Sequence, residues 1–298
     1  MRAIAYLGPE HTNTHVAARK HFGQRSRYVH APTVEDVFRL VERRQAEYGV
    51  VPIENSLEGA VTHTLDRFAD FVDTPVKIHG ELEQRIQHYL IGHAGVDLSN
   101  ISVVYSHPQA LAQCRAWLDR YLPHAKRQET NSTAEAVGWL QVRVEEGGGG
   151  IPPSDRLVTQ PFQRAAIGRA ELARQWLSQG RKLEAMPIPQ ERDNKTRFLI
   201  IGLGEPRRGR RNKTSILFAV KDRPGALHDA LVAFKRERIN LTKIESRPSK
   251  QKAWEYLFFV DFESHESEPR ATRALKALQR STSLLRVLGS YPMTRRSS

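Results

Sequence analysis

Residues 101–111 read Ile-Ser-Val-Val-Tyr-Ser-His-Pro-Gln-Ala-Leu, and this stretch decides the fold class. Ile101–Tyr105 is a short apolar run that predicts a buried strand. Ser106 and Gln109 then fit a capping box, the pattern that opens a helix. One side of that helix would carry Ala110, Leu111, Cys114, Leu118 and Tyr121. A strand that leads directly into a helix is the repeating unit of an α/β protein.

The same alternation of strands and helices continues through residues 1–203. Further strands are predicted at Ala3–Leu7, Tyr48–Ile53 and Arg197–Leu203. Two amphipathic helices are predicted after residues that can cap them, Thr33 and Ser132. Their apolar stripes are Val34, Val37, Phe38 and Val41 in the first, and Ala136, Val137, Leu140 and Val144 in the second. This order favours an α/β fold with mainly parallel strands.

Two segments interrupt the pattern. The run of four glycines and two prolines within residues 147–153 predicts a surface loop. The basic run Arg207–Lys213 reads as a solvated linker within residues 204–213. After it, strands and helices follow in the order β-α-β-β-α-β within about 80 residues, which predicts a ferredoxin-like domain.

The composition limits the function classes. The chain has 298 residues, a net charge of +13 and one cysteine, Cys114, so a disulfide within the chain is excluded and a cysteine metal site is not expected. The charge suits an anionic small substrate, and because the basic run lacks interleaved aromatics we expect no nucleic-acid partner. No apolar run reaches about 18 residues, and Met1–Leu7 is too short for a signal peptide, so we expect a cytoplasmic protein without membrane contact.

Polar side chains follow the predicted strands, where ligands bind in open α/β sheets. They are Thr12, Asn55, Ser56, Ser106, Gln109, Asn131, Ser132 and Thr133. Helix capping alone would explain several of them. Arg197 begins the last strand of this region and could hold a carboxylate through two hydrogen bonds. The residues alone therefore predict a site for a small carboxylate, without a metal or other cofactor.

Five blocks of the first 203 residues resemble the prephenate dehydratase family. They read Val51–Ser56 (VPIENS), Ser106–Leu111 (SHPQAL), Asn131–Ala134 (NSTA), Ala165–Ile167 (AAI) and Asn194–Phe198 (NKTRF). The C-terminal part resembles an ACT domain of the phenylalanine-binding type through Gly225–Leu227 (GAL) and Glu245–Pro248 (ESRP). Because the blocks stand in the right order over nearly the whole chain, the resemblance is specific.

The resemblance implies a domain plan. A catalytic domain would span 1–203, with two lobes and a cleft between them as in type 2 periplasmic binding proteins. Lobe one would take about 1–80 and 185–203, and lobe two about 81–184. The linker 204–213 would lead to the ACT domain, 214–298.

The resemblance also implies the reaction, in which prephenate gives phenylpyruvate, carbon dioxide and water. Thr196 would donate a hydrogen bond to the departing hydroxyl, and Arg197 would hold the side-chain carboxylate of the substrate. We expect Phe198 to withhold solvation from the ring carboxylate. The polar residues at the strand ends would orient the dianion.

The regulatory half would bind L-phenylalanine between two paired copies. The expected effector residues are Gly225, Ala226, Leu227, Glu245, Ser246, Arg247 and Pro248. A homodimer or homotetramer is therefore implied, with an equilibrium that the effector shifts.

The first block departs from the family pattern, because His11 stands for a glycine and Asn13 for an aromatic residue. Two rival functions stay open, an arogenate dehydratase and a non-catalytic amino-acid sensor. Because no helical segment precedes residue 3, we expect no fused chorismate mutase.

Overall fold

The structure, a computed structural model, divides into two compact units. Unit 1 contains Met1–Gly8, Thr14–Gln84 and Lys195–Ser298, and unit 2 contains Pro9–Asn13 and Arg85–Asn194. The described residues are 1–57, 59–70, 74–140, 163–178, 183–189, 193–221, 223–249 and 256–293. The predicted loop at 147–153 and Val144 of the second apolar stripe lie outside them.

Strands and helices alternate along the described residues. The strands are β1 (Ala3–Leu7), β2 (Arg27–Ala31), β3 (Tyr48–Asn55), β4 (Gly59–Ala60), β5 (Val76–Arg85), β6 (Tyr89–His93), β7 (Val103–Ser106), β8 (Lys126–Glu129), β9 (Arg164–Gly168), β10 (Leu183–Pro187), β11 (Lys195–Leu203), β12 (Asn212–Val220), β13 (Leu241–Pro248), β14 (Tyr256–Glu263) and β15 (Thr282–Pro292). The helices are α1 (Asn13–Phe22), α2 (Val34–Glu42), α3 (Thr62–Asp70), α4 (Pro108–Gln113), α5 (Arg115–Tyr121), α6 (Thr133–Trp139), α7 (Ala170–Ser178), α8 (Ala226–Arg236) and α9 (Pro269–Ser281), with a 3-10 turn at Leu98–Asn100.

The first sheet of unit 1 has the strand order β2-β1-β3-β11-β5, and β4 pairs with β3. The strands β1, β2 and β3 are parallel, as expected, but β11 runs antiparallel to β3. The helix α2 confirms its predicted pattern. Thr33 caps it by accepting the backbone N–H of Asp36 at 3.1 Å, and its four stripe residues are buried.

The C-terminal sheet of unit 1 has the order β13-β14-β12-β15 and carries α8 and α9, which confirms the predicted β-α-β-β-α-β arrangement. Side chains alternate along β12 because successive residues of a strand face opposite ways. Ile216 and Phe218 pack with the two helices, whereas Leu217 and Ala219 pack with the core of the first sheet. The C-terminal sheet therefore shares a hydrophobic core with the first sheet.

The sheet of unit 2 has the order β10-β6-β9-β7-β8. The helix predicted after Ser106 is wrong in two details. It breaks at Cys114 into α4 and α5, and Tyr121 is 46% exposed. The cap of α4 is His107, whose ring accepts the N–H of Gln109 at 3.3 Å, because Ser106 donates instead to the Ile167 carbonyl at 2.8 Å.

The basic run is only partly solvated. Its four arginines are exposed, but Lys213 is 3% exposed within β12. Within the described part of the chain, every helix is too short or too polar to cross a membrane.

Gly289 of β15 lies against the backbone of β5. A Cβ atom at this position would stand 2.2 Å from the Ile78 carbonyl oxygen, which cannot move without its strand. We expect Gly289→Ala to lower the free energy of unfolding by about 1–3 kcal/mol, the usual cost of overpacking, measured by urea denaturation. In the control Gly92→Ala, where the nearest atom is 3.9 Å away, stability should stay within about 0.5 kcal/mol. Equal midpoints for both variants would contradict this reading of the contact.

Candidate active site

Thr196 and Asn55 form a buried polar pair where β11 pairs with β3. They are directly opposite in the ladder, and the Asn55 side-chain amide donates to the Thr196 hydroxyl oxygen at 3.0 Å. The backbone N–H of Leu57 donates to the Asn55 side-chain oxygen at 2.9 Å, which fixes the orientation of the amide. Because the Thr196 oxygen already accepts a hydrogen bond, its own hydrogen is directed elsewhere and is available to donate.

Ser56 extends this pairing by one residue. Its backbone N–H donates to the Lys195 carbonyl at 2.8 Å, and its hydroxyl accepts the Lys195 N–H at 2.9 Å. With the ladder pair Arg197–Glu54 on the other side, the strands are joined on both sides of the Thr196–Asn55 pair, which holds the threonine hydroxyl in a defined position.

The Arg197 guanidinium lies among carboxylates. It donates to Glu54 at 3.0 Å and lies 3.6 Å from Glu83 and 3.9 Å from Glu81. Burial lowers the pKa of Arg197, but the carboxylates outweigh burial and hold the pKa above its usual value. In the structure the guanidinium therefore binds carboxylates of the chain itself, and its predicted contact with a substrate carboxylate stays a prediction.

Phe198 is 1% exposed and belongs to a core cluster with Ile4, Tyr6 and Val50. A β-bulge separates it from Arg197 in the ladder. Its packing role is visible, and its predicted effect on solvation stays a prediction.

The predicted donors of unit 2 have different partners. The hydroxyl of Ser106 is fully buried and bonded to the Ile167 carbonyl, so it holds β7 to β9. Ser132 caps α6 as predicted, since its hydroxyl accepts the Glu135 N–H at 3.0 Å; the Glu135 carboxylate accepts the N–H of Asn131, the residue before the cap, at 2.9 Å. The side chains of Thr12, Gln109 and Thr133 are half-buried and that of Asn131 is exposed; their binding roles stay predictions.

Sequence reasoning missed Arg169, which directly follows β9 and is 9% exposed. Its guanidinium donates to the Asn13 side-chain oxygen at 2.6 Å and to Glu171 at 3.3 Å. Applying the strand-end rule to the strand that begins at Arg164 would have found it. No metal-ligand cluster of three His, Cys, Asp or Glu occurs in the described part of the chain.

Comparison with known proteins places this geometry in a family. A family model described as prephenate dehydratase matches residues 4–206, and a model of the ACT domain matches residues 214–280. The chain belongs to the prephenate dehydratase family. The bifunctional chorismate mutase/prephenate dehydratase of Aquifex aeolicus is 44% identical over 97% of this chain and 73% of its own length. The prephenate dehydratase of Methanocaldococcus jannaschii is 36% identical over 98% of both chains.

Solved structures agree with this assignment. A crystal structure of prephenate dehydratase in complex with L-Phe from Arthrobacter aurescens has a TM-score of 0.81 at 32% identity, over 97% of this chain and 89% of its own. GqqA, described as a novel type of quorum quenching acylase, has a TM-score of 0.79 at 26% identity, over 99% of this chain and 98% of its own. Relatives of this fold therefore include a protein with a different named activity.

The predicted effector residues of the ACT domain lie on two elements. Gly225 caps α8 with a φ of +76°, which glycine adopts at little cost, followed by buried Ala226 and half-buried Leu227. Glu245–Pro248 ends β13, an edge strand, with Ser246 and Pro248 exposed. Arg247 lies 3.9 Å from Asp66 of α3, so this strand contacts that helix.

His11, which replaces the family glycine, has a φ of +65°. This value lies in the left-handed region, which glycine adopts more readily than histidine. A left-handed conformation costs a non-glycine residue about 1–2 kcal/mol.

Proposed function

We propose that this protein converts prephenate to phenylpyruvate, carbon dioxide and water in L-phenylalanine biosynthesis, in the cytoplasm. Membership of the family supports the reaction, and the Thr196–Asn55 pair is the observation that carries it. L-phenylalanine would inhibit through the ACT domain of a paired molecule, as a homodimer or homotetramer. The neutral donors at the strand ends would orient the substrate.

The chemistry needs a donor at the leaving hydroxyl. As the ring carboxylate leaves as carbon dioxide, the electrons of its C–C bond enter the ring and expel hydroxide, which takes one proton from solvent to become water. The ring becomes aromatic, so the barrier lies in the poor leaving group. A hydroxyl that accepts from Asn55 is polarised and donates more strongly, which suits Thr196 to the charge that develops on the departing oxygen.

Thr196→Val keeps the shape of the side chain and removes its hydroxyl. We expect kcat for phenylpyruvate formation to fall about 100-fold or more, the usual loss when a donor to a developing oxyanion is removed. Thr196→Ser, which keeps the hydroxyl, should retain most activity. The ultraviolet absorbance of phenylpyruvate gives the rate.

Full activity of Thr196→Val would contradict the role of Thr196. If the wild-type protein accepts only arogenate, the amino analogue of prephenate, the function is that of an arogenate dehydratase. If it accepts neither substrate, an amino-acid sensor or an acylase of the GqqA kind is favoured.

We propose Arg169 as the arginine that meets a substrate carboxylate. It follows a β-strand, where ligands of such sheets bind, and it faces one exposed carboxylate and a neutral amide. Arg197, in contrast, already forms ion pairs with three carboxylates. The charge of Arg169 is therefore less compensated.

Arg169→Met should raise KM for prephenate about 10- to 100-fold with a smaller change in kcat, as expected for loss of a hydrogen bond to a charged group. The control is Arg115→Met, because the side chain of Arg115 is 76% exposed on α5 and should not affect kinetics. An unchanged KM in Arg169→Met would remove Arg169 from the binding site.

A further inference from the structure

The pair beside Thr196–Asn55 in the ladder is ionic. In the β3–β11 ladder Arg197 lies opposite Glu54, and the next pair along the ladder is Thr196 opposite Asn55. Because neighbouring residues of a strand face opposite sides, the two pairs project from opposite faces of the same two strands. The neutral pair and the ionic pair thus lie on opposite faces of the same backbone segment.

The ionic face meets the C-terminal sheet through shared carboxylates. Glu54 accepts from Arg197 at 3.0 Å and lies 3.4 Å from Lys243 of β13. Glu81 of β5 accepts from Lys213 of β12 at 2.8 Å and lies 3.9 Å from Arg197. Each carboxylate therefore joins a cation of the first sheet to a cation of the ACT sheet.

Buried polar groups of the ACT sheet complete this cluster. Asp261 lies 3.9 Å from Lys213 and accepts the Ser215 hydroxyl at 2.6 Å. The side chain of Lys213 is 4% exposed and that of Lys243 is 10% exposed. Burial raises the pKa of Asp261 despite Lys213, so this cluster holds its charges at a desolvation cost and is sensitive to geometry.

The space and the charge at Arg197 do not suit a substrate. The cavity that it lines with Lys243 and Asp261 measures about 20 Å³, which is room for about one water. Three cations, Arg197, Lys213 and Lys243, face four carboxylates, Glu54, Glu81, Glu83 and Asp261. A dianion would gain little from such a compensated group.

We propose that Arg197 is a positioning residue that couples the ACT sheet to the Thr196–Asn55 pair through Glu54 and Lys243. This role rests on the proposed function. Lys243 lies on β13, two residues before the predicted effector block, so a shift of that strand changes the ion pair at Glu54. A change in the Arg197–Glu54 pair then shifts the position of the adjacent Thr196 hydroxyl. A misplacement of about 1 Å at such a donor is costly to catalysis.

The first test measures regulation in the full chain, with prephenate as substrate and L-phenylalanine added. Lys243→Met keeps the length of the side chain and removes its charge from Glu54. The L-phenylalanine concentration that halves the rate should change at least about fivefold, the lower end of coupling between sites, while kcat and KM without effector stay within about twofold. Lys243→Arg should restore the response, and Lys235→Met, on the exposed side of α8, should leave it unchanged.

The second test separates positioning from binding at Arg197. Arg197→Met should lower kcat about tenfold or more while KM for prephenate changes less than about threefold, because the substrate still binds but the donor is misplaced. Arg197→Lys should recover part of kcat, since it keeps a charge for Glu54. Circular dichroism checks folding, and if Arg197→Met does not fold, the Arg197→Lys kinetics and the Lys243 series decide.

Three results would overturn the inference alone. They are a higher KM with unchanged kcat in Arg197→Met or Arg197→Lys, a normal L-phenylalanine response in Lys243→Met, and no response at all in the unchanged chain. If the unchanged chain forms no phenylpyruvate from prephenate, the proposed function fails, and this role fails with it.

Discussion

Seven cross-strand pairs join β3 to β11, although Asn55 and Thr196 are 141 residues apart in sequence. This antiparallel pairing returns the chain to the first sheet after unit 2. Closing so long a loop costs conformational entropy, although the cost grows only slowly with length. The apolar positions of both strands, such as Val50, Val51 and Ile201, are fully buried and supply the stabilisation. The polar pairs at the end of the ladder can therefore serve other purposes.

The ionic cluster beneath this ladder is better explained by specificity than by stability. Burying charges costs several kcal/mol for each ion before their attraction is counted, so hydrophobic residues of similar volume would serve stability as well or better. A cluster that shares Glu54 and Glu81 between two sheets instead favours one arrangement of those sheets.

Much of the fold could be predicted from local patterns. The stripe of α2 and the helix cap at Ser132 depend only on neighbours in sequence, and both match the structure. The cap expected at Ser106 failed because a distant carbonyl, that of Ile167, competes for its hydroxyl. Lys213 was expected in solvent but is buried, where it pairs with Glu81. Glu81 lies 132 residues away in sequence, so no local pattern could predict this partner.

Arg197 shows the same limit within the candidate site. Strand alternation already implies that Arg197 and Thr196 face opposite sides, but which side meets substrate depends on what covers the other. The covering sheet comes from residues after 211, so only the tertiary structure decides that Arg197 faces Glu54 and the ACT sheet. Arg169 was missed for a different reason. The strand that precedes it, β9, was not predicted, so the strand-end rule was never applied there.

The separation of charge across one pair of strands also fits the chemistry. A decarboxylation is slowed by any group that binds the departing carboxylate more tightly than the transition state. Neutral donors such as Asn55 and Thr196 would orient a substrate with little such penalty, while the cation Arg197 is compensated by carboxylates on the other face of the strands. Arg197 would therefore add little to the electric field on the Thr196 side of the strands, where the proposed donor hydroxyl lies.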